Sequence, residues 1–299
     1  MENFLLIGFA IIVGYALQKL HIFPSETPNI LNKFIIYISL PAIILLQVPK
    51  LQFSFDILIP AIIAWIVMGL SALLVIFFSK ILHWSKDVTG GLLLVAILTN
   101  SSIMGIPIIN AYLGEEALPY VLIYDQLGTF IALAVYGAFI TAYYSSNSSL
   151  SFKLIIQKII TFPSFLALLV ALLFLGKTFH PMITGILTTF ANTLIPVALV
   201  AVGLQLQFKL PKHDIKPLSI ALIIKLILAP LIAYLTILLF GWNNLAGHVS
   251  IFEAGMAPMI TAGAMASMAG LAPRLSIAIV GYGILFSFIT TAILSKLII

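Results

Sequence analysis

The sequence has no cysteine, and only 8% of its 299 residues are charged. Without cysteine there is no disulfide framework and no thiolate metal site. So little charge excludes an ordinary water-soluble domain, in which about a quarter of residues are charged. Acidic residues are the scarcer charged class. Nine Asp and Glu stand against fourteen Lys and Arg, a net charge of +5. In a soluble chain that excess would suggest nucleic acid. Here the few lysines fall between apolar runs, where they set topology, and no nucleic-acid partner is expected. The five histidines, His21, His83, His180, His213 and His248, lie scattered near the ends of apolar runs and suggest no metal cluster. No phosphate-binding loop and no paired nucleophile and base stand out, so neither a cofactor nor an enzymatic activity is expected.

What is present is hydrophobic. Such residues make up 62% of the chain, and the mean hydropathy is +1.22. Polar surface cannot cover this chain, so lipid is its solvent. The N-terminal run MENFLLIGFAIIVGYALQKL is too long for a signal peptide, has no basic n-region and reads as a retained span. A helix crossing ~30 Å of hydrocarbon needs roughly 20 apolar residues. Ten candidates occur, near 3–20, 30–48, 55–82, 88–111, 117–144, 162–176, 182–205, 215–240, 246–269 and 274–298. The seventh is punctuated by Pro196. Segment 150–161, LSFKLIIQKIIT, sets Lys153, Gln157 and Lys158 mostly apart from Leu154, Ile155 and Ile159. It reads as an interfacial helix in contact with membrane lipid.

Ten spans put both termini on one side. That side holds Lys50, Lys177 and Lys296. The other holds Lys19, Lys33, Lys80, Lys86, Lys153, Lys158, Lys209, Lys212, Lys216 and Arg274, a split of 3 against 10. The Lys-rich side is cytoplasmic by this asymmetry. Both termini are then outside the cytoplasm.

An internal repeat is legible. Residues 40–53, LPAIILLQVPKLQF, align without gaps with 195–208, IPVALVAVGLQLQF, at a shift of 155. Tyr124, Leu127 and Phe130 meet Tyr282, Leu285 and Phe288 at a shift of 158, and Pro107 and Pro258 are 151 apart. Five spans is an odd number, so the second repeat enters the membrane from the opposite side. Inverted repeats are an alternating-access architecture. Spans four and nine each carry glycine and proline: Gly105 and Pro107, Gly255 and Pro258. Proline clashes with the preceding turn, and glycine lets the backbone leave helical angles. Both spans are therefore expected to break near these residues. Freed backbone groups are intolerable against lipid, so the breaks belong in the interior. Their second halves would point N–H donors inward, a site for an anion. The expected fold is an all-α polytopic membrane protein with ten transmembrane helices. It has two inverted five-helix repeats, 1–149 and 162–299, a linker helix at 150–161, and broken helices 4 and 9 crossing at mid-membrane.

Asn100 with Gly105 and Pro107, Ile195 and Pro196 through Gly203, Lys225 with Ala229 and Pro230, and Met256 with Pro258 carry a family resemblance. In their order and spacing the chain resembles the auxin efflux carrier family of membrane transporters. Bacterial members are often described as malate or malonate permeases. The resemblance implies organic anion transport. It also implies a fold shared with bile-acid sodium symporters and sodium–proton antiporters, with a scaffold domain and a transport domain containing crossed helices. Plant members carry a long loop between spans five and six, where this chain has a short segment.

Three ionisable residues fall inside spans: Asp125, Lys225 and Glu253. An ionised group at mid-membrane costs at least ~2.5–3.5 kcal/mol, so each needs a partner or a function. Glu253, five residues before Pro258, is the first candidate for proton or cation coupling. Lys225 would pair with it or counter a substrate carboxylate, and Asp125 would line the crossing or anchor it. The substrate-binding candidates are Asn100, Ser101, Ser102, Gly105, Pro107, Asn110, Gly255, Pro258 and Thr261. Asn192 faces either a cavity or a packing interface. The expected function is secondary transport of a small organic anion by elevator-like alternating access, with proton or sodium as coupling ion. A second copy of the chain stays open as a partner. The alternatives are sodium-coupled symport of a larger amphipathic anion and a membrane sensor that binds without transport.

The charge asymmetry is directly testable. Reporter fusions at Ile299 should behave as extracytoplasmic, and fusions in the 209–216 loop as cytoplasmic. A cytoplasmic C-terminus would overturn the five-span repeat.

Overall fold

The computed structural model describes residues 2–52, 54–145, 152–206 and 214–298. Phe53, Gln207 and Phe208 of the repeat match, Lys209, Lys212 and His213, and the first two residues of the linker lie outside the described residues. Among the described residues every regular element is a helix. The chain opens with α1 (Glu2–Lys19), α2 (Thr27–Lys50) and α3 (Phe55–Ile81). Next come α4 (Lys86–Val95) and α5 (Ser101–Leu113), separated by residues 96–100. Then follow α6 (Glu115–Tyr144), α7 (Phe152–Ile160) and α8 (Pro163–Leu173). The last group is α9 (Pro181–Gln205), α10 (Ile215–Phe240), α11 (Leu245–Ala254), α12 (Ile260–Met268) and α13 (Pro273–Ile298). Residues 255–259 separate α11 from α12. Among the described residues six helices, α2, α3, α6, α9, α10 and α13, are long and apolar enough to cross a membrane.

Proline shapes three of these helices in the same way. Pro41, Pro107 and Pro230 each follow a wide π turn, over Ile35–Ser39, Ser101–Gly105 and Ile224–Leu228. The N–H of the residue before each proline reaches five residues back: Leu40 to Ile35, Ile106 to Ser101, Ala229 to Ile224. Proline offers no N–H and its ring crowds the turn before it. Widening that turn by one residue relieves the clash without ending the helix. In α6 a wide turn over Tyr124–Phe130 forms without proline. There the Trp65 indole N–H of α3 donates to the Leu127 carbonyl, 3.0 Å away.

One expectation about helix interruption is met and one is corrected. Pro196 punctuates its helix, because its ring crowds the carbonyl four residues back and it offers no N–H to it. The chain turns at Asn192 and Thr193, and Pro196 sits in the first turn of the helical stretch that begins at Leu194. A proline is tolerated there because N–H groups of a first turn need no helical partner. The interruption before α5 lies at residues 96–100 rather than at Gly105 and Pro107. The π turn absorbs Pro107 inside α5.

Packing is closest between α1 and the second part of α9. A Cβ on Gly14 would overlap the Val200 carbonyl, and one on Gly203 would overlap the Ile11 carbonyl and Gly14 Cα. Two backbones thus meet through glycine, the arrangement that supports helix association in lipid. α8 packs on α2, where the Ser164 hydroxyl donates to the Ile36 carbonyl at 2.9 Å. Ser39 and Thr193 join α2 to α9 through their hydroxyls at 2.7 Å. A second apolar cluster joins α3, α10 and α11 through Ile59, Ile63, Ala233, Ile237 and Ile251. On α7, Phe152, Ile156 and Ile160 are exposed along one stripe, with Ile155 and Ile159 half-buried beside it.

Gly203→Leu should lower the thermal unfolding temperature in detergent, with a loss of about 3 kcal/mol from overpacking. Gly8→Leu should leave it near wild type, because nothing lies within 4 Å of a Cβ there. Equal unfolding temperatures for the two variants would remove glycine from the α1–α9 contact.

Candidate functional site

The segments between α4 and α5 and between α11 and α12 meet. Asn100 donates its backbone N–H to the Ala257 carbonyl, and Met259 donates to the Leu98 carbonyl, both at 2.9 Å. Thr99 and Pro258 are paired antiparallel between these bonds. At such a position neither residue's N–H enters the ladder, so proline loses nothing there. Thr99 thus stands opposite Pro258, and Pro107, its match in the repeat by sequence, is buried eight residues further on.

Lys225 ties the crossing together. Its ammonium donates to Thr99 Oγ1 at 2.6 Å and to the Ala254 carbonyl at 2.9 Å. Ala254 is the last residue of α11, where the unpaired carbonyls of a helix end favour a cation. The side chain is fully buried and leaves α10 from its π turn.

The two carboxyl groups are held very differently. Asp125 accepts from the Ser101 hydroxyl and, at 2.6 Å, from Gln126 Nε2; Ser102 also contacts it. Glu253 is fully buried, yet neither of its oxygens has a hydrogen-bond partner. It lies within electrostatic reach of Lys225 and Asp125. Its carboxyl rests against Gly105, where any Cβ would overlap it. Glycine at 105 is therefore what admits this side chain. Asn100 Nδ2 and Gln126 Oε1 are likewise buried without partners. Each such group costs about 1–3 kcal/mol unless something binds it, so each calls for a partner or a role.

The structure thus gathers Asn100, Ser101, Ser102, Gly105, Asp125, Lys225, Glu253 and Pro258 of the sequence candidates. Of the rest, Gly255 opens the segment 255–259 of the crossing, Pro107 is buried within α5, and Asn110 and Thr261 lie elsewhere. Gly255 packs against Pro230 and Leu294. Thr261 is exposed on α12. Asn110 lines a separate cavity of about 860 Å³ with Asn192, Gln47, Lys50 and Lys177. A second cavity, of about 980 Å³, borders α12 and is lined by Tyr15, Gln18, Lys19, His21 and Gln205 among others. The sequence reading missed Thr99 and Gln126. Both are polar residues beside one already singled out, and that adjacency was their signal.

Residues 1–295 match the membrane transport protein family. The chain belongs to this family. It is a multi-pass membrane transport protein of the auxin efflux carrier type. An uncharacterized transporter of Methanothermobacter thermautotrophicus is 23% identical over 268 residues, covering 89% of this chain and 87% of its own length. An uncharacterized transporter of Methanocaldococcus jannaschii is 26% identical over 265 residues, covering 86% and 85%.

Lys225→Met should destabilise the protein by about 3–5 kcal/mol, because it strands buried partners of a charge. Glu253→Gln in the same chain should recover part of the loss. Thermal unfolding in detergent reads both. An unchanged midpoint for Lys225→Met would show that the clamp contributes nothing.

Proposed function

We propose that this transporter moves a small organic anion by secondary active, elevator-like alternating access across the cytoplasmic membrane. The observation that carries the reading is the antiparallel pairing of residues 98–100 with 257–259 inside a buried, partly unsatisfied polar cluster. In this reading α4 with α5, and α11 with α12, are the two broken spans among ten. Residues 1–149 and 162–299 are inverted repeats, and 150–161 link them along the interface. Reciprocal packing supports this. α1 packs on α9 as α8 packs on α2, and α3 meets α11 as α10 meets α4. Thr99 and Pro258 are 159 residues apart (258 minus 99). That is closer to the repeat shifts of 155 and 158 than the 151 of Pro107 and Pro258.

Anion selectivity follows from the donors at the crossing. The N-termini of α5 and α12 lead away from it, leaving backbone N–H groups directed inward. Asn100 adds an unpaired amide donor. The cavity beside α12 carries Lys19 and His21 and, among the described residues, no acidic lining residue. Glu253 is the coupling group, a carboxyl that takes up and releases a proton as its surroundings alternate between wet and dry. Proton coupling is preferred to sodium because Lys225 already places a cation between the hydroxyl and carbonyl oxygens of the crossing.

Reconstituted protein should accumulate carboxylates of one or two charges under an imposed pH gradient and show no requirement for sodium. Glu253→Gln should still exchange substrate between equal pools but should not concentrate it. A wild type that moves no carboxylate under any gradient would overturn anion transport. Full pH-driven accumulation by Glu253→Gln would remove that residue from coupling.

A further inference from the structure

The linker helix α7 contributes nothing to the crossing, yet its surface is patterned. Phe152, Ile156 and Ile160 form an exposed apolar stripe, with half-buried Ile155 and Ile159 along one edge. Successive residues of a helix step by about 100°, so Lys153 and Gln157 border the stripe on its other edge, and both are exposed. Lys158 adds a second positive charge to the helix. Between Asp125 and Asp214 the sequence has no acidic residue, so this stretch of chain supplies no counter-charge to the two lysines. An apolar stripe edged by lysine is the pattern of a helix lying in the plane of a membrane surface. These lysines belong to the Lys-rich, cytoplasmic side, where the leaflet carries anionic lipid. Charge complementarity therefore selects what covers the stripe.

The same helix is wired to the protein interior. It packs against the stretch Leu133–Gly137 of α6. Its end is tied to Phe162, whose N–H donates to the Ile159 carbonyl at 3.2 Å. Phe162 is the elbow before Pro163 opens α8. Its ring stacks on that of Phe130, with centroids 4.1 Å apart and planes inclined by 17°. Phe130 is buried and closes the wide turn Tyr124–Phe130 of α6. That turn also holds Asp125 and Gln126 of the buried cluster, and Trp65 donates to its Leu127 carbonyl. One stacked ring pair thus joins the surface helix to the element that carries the buried acid.

We propose that α7 is a docking surface for anionic phospholipid headgroups, and that docking sets the α6 wide turn through the Phe162–Phe130 stack. Lys153 and Lys158 meet the lipid phosphates, and the apolar stripe enters the acyl boundary beneath them. The proposal rests on the reading of 150–161 as an interfacial link and does not depend on which solute is carried. The two contributions respond differently to conditions. Burial of the stripe holds α7 on any bilayer, whereas the attraction of lysine to phosphate requires anionic lipid and is screened by salt. Rings stacked at this distance are in van der Waals contact, so a shift of the elbow displaces Phe130 and the turn it closes.

The chain has no cysteine, so Ile156→Cys gives a single attachment point for a fluorophore on the exposed stripe. The labelled full-length protein is placed in nanodiscs of equal amounts of phosphatidylglycerol and phosphatidylcholine, with bromine on the acyl chains of one lipid or the other. Quenching at low salt should show phosphatidylglycerol enriched beside α7 about fivefold over the bulk, the effect of one lysine near an anionic surface. Lys153→Gln/Lys158→Gln, or high salt, should return the ratio to the bulk value, and Lys296→Gln should not. Equal quenching by the two lipids, or loss of enrichment in Lys296→Gln, overturns the docking. So does self-quenching between labels without quenching by either lipid, which would place a second copy on the stripe. The link to α6 is read in a Trp84→Phe/Trp242→Phe background, where Trp65 is the remaining tryptophan. Its emission maximum should shift when phosphatidylglycerol replaces phosphatidylcholine. Phe162→Leu should abolish that shift and keep the enrichment, which also shows that the variant is folded. No shift of Trp65, or a shift that survives Phe162→Leu, overturns the link. Neither readout needs transport, so failure of the anion-transport reading leaves the proposal standing.

Discussion

A chain this poor in polar surface cannot leave backbone groups unpaired where water does not reach. The structure meets that constraint at one place above all, the two hydrogen bonds exchanged between Leu98, Asn100, Ala257 and Met259. They pair four backbone groups where two helices stop inside the protein. The Lys225 ammonium then holds both interruptions at once, through Thr99 on one and Ala254 on the other. The surrounding helices are arranged around that knot. α6 contributes Asp125, α10 contributes Lys225, and α5 brings Gly105 under the Glu253 carboxyl.

The two buried acids show how one cluster divides its labour. Asp125 is met by serine and glutamine donors, which fix it in place and make it part of the architecture. Glu253, with both oxygens unmet and glycine beneath it, is left responsive to whatever enters. Satisfied polar networks make a core rigid, and an unpaired buried polar group is costly. The cluster therefore contains one acid held by donors and one acid held by none.

Much of this was legible before any coordinates. Asp125, Lys225 and Glu253 stood out because ionisable residues are rare in apolar runs, and the structure buries all three together. The glycine and proline of residues 98–114 and 253–261 marked two unusual segments, and those segments meet. Their register was not legible. Proline looked equivalent to proline, but Pro258 faces Thr99, because antiparallel pairing asks only that the central residue need no N–H. Pro107 left a different trace, a wide turn within a continuing helix, for which the sequence has no marker beyond the proline itself. Asn110 and Asn192 share a cavity although they lie in different halves of the chain. No local pattern could have joined them.

The wide turns have a consequence for helical phase. A regular helix advances 3.6 residues per turn, so a stripe spaced by four drifts around its surface. On α10, Ile223, Ile227, Leu231, Leu235 and Leu239 are all exposed, a strict spacing of four that spans the π turn before Pro230. The extra residue in that turn rotates everything beyond it by about 100° relative to an unbroken helix. One helical wheel drawn through α2, α5 or α10 would assign the far side of each proline to the wrong face. By the same geometry, deleting a single residue from such a turn would not shorten the helix so much as twist one half of it. The lipid-facing side chains beyond the proline would be turned toward the interior.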